Sequence, residues 1–228
     1  METTKPIRLN KFLAERLGFS RREADELIAS GEISVNDQPA KLGQKITEKD
    51  KIFYAGRLIP FAVGYIYLAL NKPVGYVSSR RRQGETPTLY ELLPTKYQHL
   101  KTVGRLDRDS SGLILLTNDG DFAFQMTHPK FVKNKLYRVR LDKPLEPLHQ
   151  QMLADFGVEL ADGRSQLGLR RLDESRELWE ATLHEGRNRQ IRRSFAALGY
   201  RVAELHRTQF GKYALSGLKD GEWTEIAK

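Results

Sequence analysis

The stretch GRLDRDSSGLILLTNDG, residues 104–120, sets Asp107 and Asp109 two positions apart in a neighbourhood of cations. Three readings compete for it. Asp107, Asp109, Ser111 and Gly112 match the first half of a calcium-binding loop. A pair of carboxylates also suits nucleophilic or acid–base catalysis. The third reading is a polar turn ahead of the apolar run Leu113–Leu116. The calcium reading fails at loop position 12, where Asn118 replaces the bidentate glutamate, and Arg108 would sit inside the ligand shell. The catalytic reading gains from the company these carboxylates keep, with Lys72, Arg80, Arg81, Arg82 and Arg105 nearby in sequence. An acidic group on a basic surface opposes the binding of polyanions, so a task other than binding is its natural role.

Two further constellations could do chemistry. In HEGRNRQIRRSFAALGY, Asn188 is a candidate cap for a helix whose apolar stripe is Ile191, Phe195 and Leu198. Arg189, Arg192 and Arg193 crowd the first turn of that helix. A helix start loaded with arginine receives anions, either phosphate or a catalytic carboxylate. In NKLYRVRL, a strand would place Tyr137 and Val139 on one face and Leu136 and Arg138 on the other. Such a tyrosine suits a core or rim position as well as a functional one. There is no phosphate-binding glycine loop, and the five histidines lack metal-ligand spacing, so neither a cofactor nor a metal is expected. The absence of cysteine excludes disulfides, thiolate nucleophiles and iron–sulfur clusters.

The 228-residue chain carries a net charge of +9, and that charge is clustered. Segment 72–108 holds eight basic residues against three acidic ones, and segment 185–212 holds seven against two. This distribution points to a nucleic-acid surface rather than a general solubility charge. No apolar run is long enough to span a bilayer, and METTKPIRLN lacks a signal region, so a cytoplasmic protein with no membrane partner is expected.

These residues need elements to position them. Leu9, Phe12, Leu13 and Leu17 predict a helix stopped at Gly18. Ser20 and Glu23 form a capping box for a second helix with the stripe Ala24, Leu27 and Ile28 and a stop at Gly31. Short strands follow at 33–35 and 52–54. Arg21 and Arg22 sit in the first turn of the second helix, where the macrodipole disfavours cations by about 0.3–1 kcal/mol each unless phosphate is met there. LIPFAVGY, residues 58–65, reads as a linker, giving domains at 1–62 and 63–228. Beyond it, YIYLALNKP, KTVGRLD, SGLILLT, NKLYRVRL, ELWEATLHEG and RVAELHRTQF read as strands. Helices are expected near 119–127, 145–155 and 188–198. The fold class is α+β: a small helix-rich domain followed by a larger domain on a largely antiparallel mixed sheet.

Two resemblances follow from these motifs. IRLNKFLAERLGFSRREADELIASGEISVN resembles the S-four-type RNA-binding domain over about residues 7–55, chiefly through SRREA and G-x-I-x-VN. LNKPVGYVSS, GRLDRDSSGLILLTNDG, KLYRV and EGRNRQIRR, in that order, resemble the RsuA-like family of ribosomal RNA pseudouridine synthases along nearly the whole chain. The second resemblance implies isomerisation of a uridine in structured rRNA, within a pre-ribosomal particle or as naked RNA, by a monomer without cofactors. It implies Asp107 as the catalytic aspartate, Tyr137 as the active-site tyrosine and Arg192 as the basic partner. Spacing alone does not separate Asp109 from Asp107, because on a strand both face one side; the resemblance selects Asp107. Lys72, Arg80, Arg105, Arg187, Arg189, Arg193 and Arg207, with Arg21 and Arg22, are the expected RNA contacts. EGRNRQIRR leans toward the large-subunit rRNA. Ser194 departs from the methionine common in relatives, implying adjusted RNA contacts, and the chain stops at Lys228 without a long basic tail, implying less nonspecific reach. The rival expectation is a noncatalytic RNA-binding factor for ribosome assembly, which would have no use for Asp107.

Overall fold

Leu9, Phe12 and Leu13 bury one face of α1 (Leu9–Leu17), and Gly18 ends it in the left-handed conformation at φ 78°. α2 (Arg21–Ala29) starts on the expected capping box: Ser20 Oγ accepts from Glu23 N at 3.1 Å, and Glu23 Oε2 accepts from Ser20 N at 2.6 Å. Short strands complete this module. Ile7–Arg8 (β1) pairs with Lys45–Ile46 (β4). Ile33–Val35 (β2), Gln38–Pro39 (β3), Ile52–Tyr54 (β5) and Arg57–Ile59 (β6) form a sheet of order β3-β2-β5-β6. One apolar cluster, including Leu9, Phe12, Ala24, Ile28, Ile33 and Ile52, holds helices and strands together.

The computed structural model describes residues 5–61 and 64–228, so the expected boundary between 62 and 63 lies outside the described residues. The linker expected from residue 58 starts later. Leu58 and Ile59 belong to β6, Ile59 is buried in the module core, and Phe61 packs on Phe12 with ring centroids 4.5 Å apart. Apolar contacts outweigh the nearby proline and glycine as local signals here.

The larger domain is built on Tyr67–Lys72 (β7), Lys101–Val103 (β8), Ser111–Thr117 (β9), Lys135–Leu141 (β10), Gly168–Arg171 (β13), Leu178–Leu183 (β14), Val202–Phe210 (β15), Tyr213–Ala214 (β16) and Trp223–Glu225 (β17). They make one nine-stranded sheet of order β13-β14-β10-β15-β9-β7-β17, with β8 beside β9 and β16 beside β15. Every pairing is antiparallel except β15 with β9. Val158–Leu160 (β11) and Gly163–Ser165 (β12) form a separate hairpin. The alternation expected along 65–73 is absent, because β7 is buried on both faces. Leu68, Leu70, Ile114 and Leu116 enter one core; Tyr67, Ala69, Leu113 and Leu115 enter another, closed by Phe122 and Met126 of α3 (Gly120–Thr127). A strand covered on both sides reads as a continuous apolar run. Removing the Phe122 side chain is expected to cost about 3–5 kcal/mol.

α4 (Pro147–Gln151) runs into a π-helical turn at Met152–Phe156, and α5 (Gln190–Ala196) precedes β15. The parallel pairing decides where the site falls. Ser111 and Gly112 of β9 lie opposite His206 and Arg207 of β15. Gly112 has φ 104°, and a Cβ there would collide with the Arg207 backbone, so only glycine allows this approach. The loop before β9 and the helix before β15 therefore meet at the same end of the sheet. The small module docks beside β8 and α3: Lys101 Nζ donates to Ala14 O at 2.9 Å, and Lys11 Nζ pairs with Asp121 at 2.6 Å. Among the described residues, no helix is long and apolar enough to cross a membrane.

Candidate active site

Of the strand expected from KTVGRLD, only Lys101–Val103 forms one, as β8; residues 104–110, before β9, make a turn. Its geometry is set by Ser110 N donating to Asp107 O at 3.1 Å. Residues of the LNKPVGYVSS segment hold this turn from behind. Lys72 Nζ donates to Ser110 O at 2.7 Å and to Pro73 O at 2.8 Å. Gly75 N donates to Arg108 O at 2.7 Å, and Ser78 Oγ donates to Leu106 O at 2.8 Å. Lys72, expected to face RNA, is instead wholly buried. Burial pushes its pKa down to about 8, against the attraction of Asp107 and Asp109. Its carbonyl partners explain the burial, since an ammonium can leave water when its donors are met. Asn118, the residue that breaks the calcium pattern, lies at the far end of the β9 run and accepts from Ile66 N at 2.8 Å.

Opposite the turn stands the start of α5. Asn188 does not cap it. The N-cap residue is Arg189, in the left-handed region at φ 48° with no side-chain cap, and Asn188 offers only its carbonyl, which accepts from Arg193 Nε at 2.9 Å. That backbone turn delivers the Arg189 guanidinium to the carboxylates. Its Nη1 and Nη2 donate to Asp109 Oδ1 and Oδ2 at 2.8 and 2.7 Å, and Nη1 lies 3.5 Å from Asp107 Oδ2. The bidentate Arg189 contact holds the Asp109 carboxyl below the usual carboxylate range, and Asp109 in turn raises the Arg189 pKa. Arg192 sits deeper. Its Nη2 donates to Asp109 O and its Nη1 to Val202 O, both at 2.7 Å. Its Nε is 3.4 Å from Asp109 Oδ2 without hydrogen-bond geometry. Burial lowers the Arg192 pKa from its ordinary value. The arginine beside Asp107 is thus Arg189, and Arg192 braces Asp109. The interdigitation of a loop with a helix start gave no signal in spacing.

A cleft of about 470 Å³ opens between these elements, a size suited to one nucleotide. Arg105, Asp107 and Arg189 line it. Tyr137 of β10 is buried at its floor, registered opposite Arg207 of β15. Arg207 is buried too. Its Nε donates to Leu113 O at 2.7 Å, its guanidinium lies 5.0 Å from the Phe210 ring centroid, and its Nη2 has no partner. It belongs to the cleft floor, not the outer surface. Lys135 and Glu185, which sequence reasoning passed over, also line the cleft.

Several arginines expected on an RNA face are engaged within the fold. Arg187 and Arg193 both pair with Asp162, Arg193 bidentately at 2.8 and 2.7 Å. The Asp162-Gly163 dipeptide at the tip of the β11–β12 hairpin was the available signal for that anchor. Arg80 donates to the carbonyls of Gln98, His99 and Leu100 and stacks on Tyr90. Ser194, expected to adjust RNA contacts, is buried, with Oγ bonded to Ser165 Oγ at 2.8 Å. By contrast Arg21 and Arg22 are exposed at the start of α2, with Arg21 donating to Asn10 Oδ1 at 3.1 Å. The Glu23 carboxyl there is held below its usual range first by the Ser20 N–H and also by Arg81 and Arg80. Arg80 and Arg81 thus lie near the start of α2, while Arg82 pairs with Glu91.

A two-domain chain with this sheet, this carboxylate–arginine cluster and a nucleotide-sized cleft has known relatives. The family of RNA pseudouridylate synthases matches residues 66–197, and the S4 domain matches residues 7–52. The "Ribosomal small subunit pseudouridine synthase A" of Vibrio vulnificus is 38% identical over 97% of this chain and 97% of that one. The "Ribosomal large subunit pseudouridine synthase B" of Bacillus subtilis is 35% identical, covering 96% and 91%. A solved pseudouridylate synthase superposes with a TM-score of 0.70 at 33% identity, over 97% of this chain and 96% of that one. The chain belongs to the RsuA-like family of RNA pseudouridine synthases and carries an N-terminal S4 domain. It is an isomerase, and the α+β class with a mixed sheet agrees with the expectation from sequence.

Proposed function

We propose that this enzyme converts a specific uridine of ribosomal RNA to pseudouridine, with Asp107 as the nucleophile. The observation that carries the reading is one cluster, Asp107, Asp109 and Arg189, beside a cleft lined by Asp107, Arg189 and the buried Tyr137. Asp107 attacks ribose C1′, forming an ester-like C1′–O bond as the C1′–N1 bond breaks and its electron pair stays on uracil N1. The uracil turns in the cleft. C5 then attacks C1′ and displaces the Asp107 carboxylate, and the C5 proton passes to a base while N1 is protonated. Every atom and electron is conserved, so no redox carrier enters the balance.

The supporting chemistry falls to named neighbours. The target base must leave its stack, and the Tyr137 ring replaces part of that stacking, with its hydroxyl able to relay the C5 proton. Arg189 holds the Asp109 carboxyl ionised and orients the pair. Asp109 positions Arg189, and Arg192 fixes the Asp109 backbone. Arg105 at the cleft wall and Arg21 and Arg22 on the S4 domain meet phosphates, which position the RNA without reading its sequence.

Relatives named for the small and the large ribosomal subunit are 38% and 35% identical to this chain. The test compares pseudouridines mapped in both rRNAs from cells with and without the gene. Loss of one pseudouridine, restored by the wild-type gene, is the expected result, and its position assigns the subunit. The EGRNRQIRR segment favours the large one. Unchanged maps in both rRNAs would contradict the proposal.

A further inference from the structure

The rim of the cleft carries an aromatic patch that the chemistry above does not use. Phe124 on α3 is 45% exposed. Its ring centroid lies 4.6 Å from that of His128 and 5.8 Å from that of Phe131. Lys130 Nζ lies over both phenylalanine rings, 5.3 and 4.7 Å from their centroids. The segment between is held in an unusual shape. His128 Nδ1 accepts from Lys130 N at 3.3 Å, and Val132, β-branched and exposed, has φ 34°. Positive φ is rare for such a residue, and strain of this kind gathers at functional sites. The patch continues into the cleft, since His128, Pro129 and Lys133 line its wall. Lys133 also borders a second hollow of about 500 Å³, which Lys212 and Lys228 line as well.

We propose that Phe124, His128 and Phe131 form a stacking platform for an unpaired nucleotide of the substrate RNA, next to the uridine held in the cleft. The inference rests on the RNA-modifying reading above. Flipping a uridine out of its stack leaves the neighbouring base with an uncovered face, and an aromatic surface accepts any base. In the free protein, Lys130 covers these rings. A cation on an exposed ring is held more weakly than a stacked base. An incoming nucleotide therefore displaces the Lys130 ammonium onto its own phosphate, exchanging one weak contact for a stack and an ion pair. The lysines beside the patch complement a polyanionic strand.

The test uses the full chain with two probes: rRNA from cells lacking the gene, and a ten-nucleotide single-stranded oligouridylate carrying one 2-aminopurine. Phe124→Ala with Phe131→Ala should weaken binding of both at least tenfold and abolish 2-aminopurine quenching. Phe124→Trp, which keeps a stacking face, should bind within twofold of wild type. Leu148→Ala, an exposed apolar residue on α4, serves as the control for surface truncation and should change neither probe. Unchanged affinity in the double alanine variant would overturn the platform, and so would an equal loss in Phe124→Trp. Failure of the wild-type protein to form pseudouridine in the rRNA would instead overturn the RNA-modifying reading. Oligouridylate quenching would still decide the platform.

Discussion

α2 and α5 both begin with arginines in or beside the first turn, where the helix dipole disfavours cations. They resolve that conflict in opposite ways. α2 has a complete capping box, with Glu23 the acidic residue of its first turn, and leaves Arg21 and Arg22 in solvent. α5 has no side-chain cap and no acid of its own in the first turn. Its arginines are neutralised from elsewhere: Arg189 by Asp107 and Asp109, Arg193 by Asp162. A capped helix start can present its cations to a distant polyanion. An uncapped one recruits carboxylates from other segments, here the pair proposed to include the nucleophile. Similar sequence patterns thus give solvent-exposed arginines in one domain and an ion-paired cluster in the other.

The most severe break in this contrast is Arg189→Ala. It removes the bidentate partner of Asp109 and the closest cation to Asp107, and the single-turnover rate should fall by about 10²-fold, or about 2.7 kcal/mol of barrier. The same variant has a pH signature. The folded-state pKa of Asp109 is depressed by Arg189, so its stabilisation is present above the ordinary carboxylate range and is lost as pH falls through the depressed value. Without Arg189 that stabilisation disappears, and acid unfolding followed by circular dichroism should begin at higher pH than in wild type.

Arg192→Met sharpens the contrast through stability. It leaves the carbonyls of Asp109 and Val202 without this donor, a loss of about 1–3 kcal/mol that denaturant titration should read. On α2 the effect belongs to affinity. Arg21→Ala with Arg22→Ala should lower the slope of log K against log salt for rRNA binding by about 2, near one unit per phosphate contact. The caps give the smallest effects. Ser20→Ala should cost about 1 kcal/mol of stability, while Asn188→Ala, whose side chain caps nothing, should stay within about 0.5 kcal/mol.

Local signals were readable from sequence wherever local chemistry decides the outcome. The α1 stripe, the Ser20–Glu23 box, the Gly18 stop and the LILL strand all depend on neighbours within a few residues. The readings that changed depend on distant contacts. Lys72 is basic and lies near other cations in sequence, yet it is buried because Ser110 O, 38 residues on, accepts a hydrogen bond from its ammonium. Asp107 and Asp109 lie on a turn because the segment around Gly75 and Ser78 grips it from outside. That Arg189 rather than Arg192 lies beside Asp107 follows from a left-handed residue at the helix start, which no propensity favours in an arginine. Asp107, Tyr137 and Arg192 were singled out together by the family resemblance; the chemistry of each segment alone left Tyr137 a core or rim candidate and Asp107 level with Asp109.

Pseudouridine formation by Asp107→Asn and Asp109→Asn, each assayed in single turnover on rRNA from cells lacking the gene, tests the carboxylate assignment most directly. Asp107→Asn should abolish the product while binding the RNA with nearly wild-type affinity, and Asp109→Asn should keep a reduced rate. Full activity in Asp107→Asn with loss of product in Asp109→Asn would contradict the assignment and make Asp109 the nucleophile.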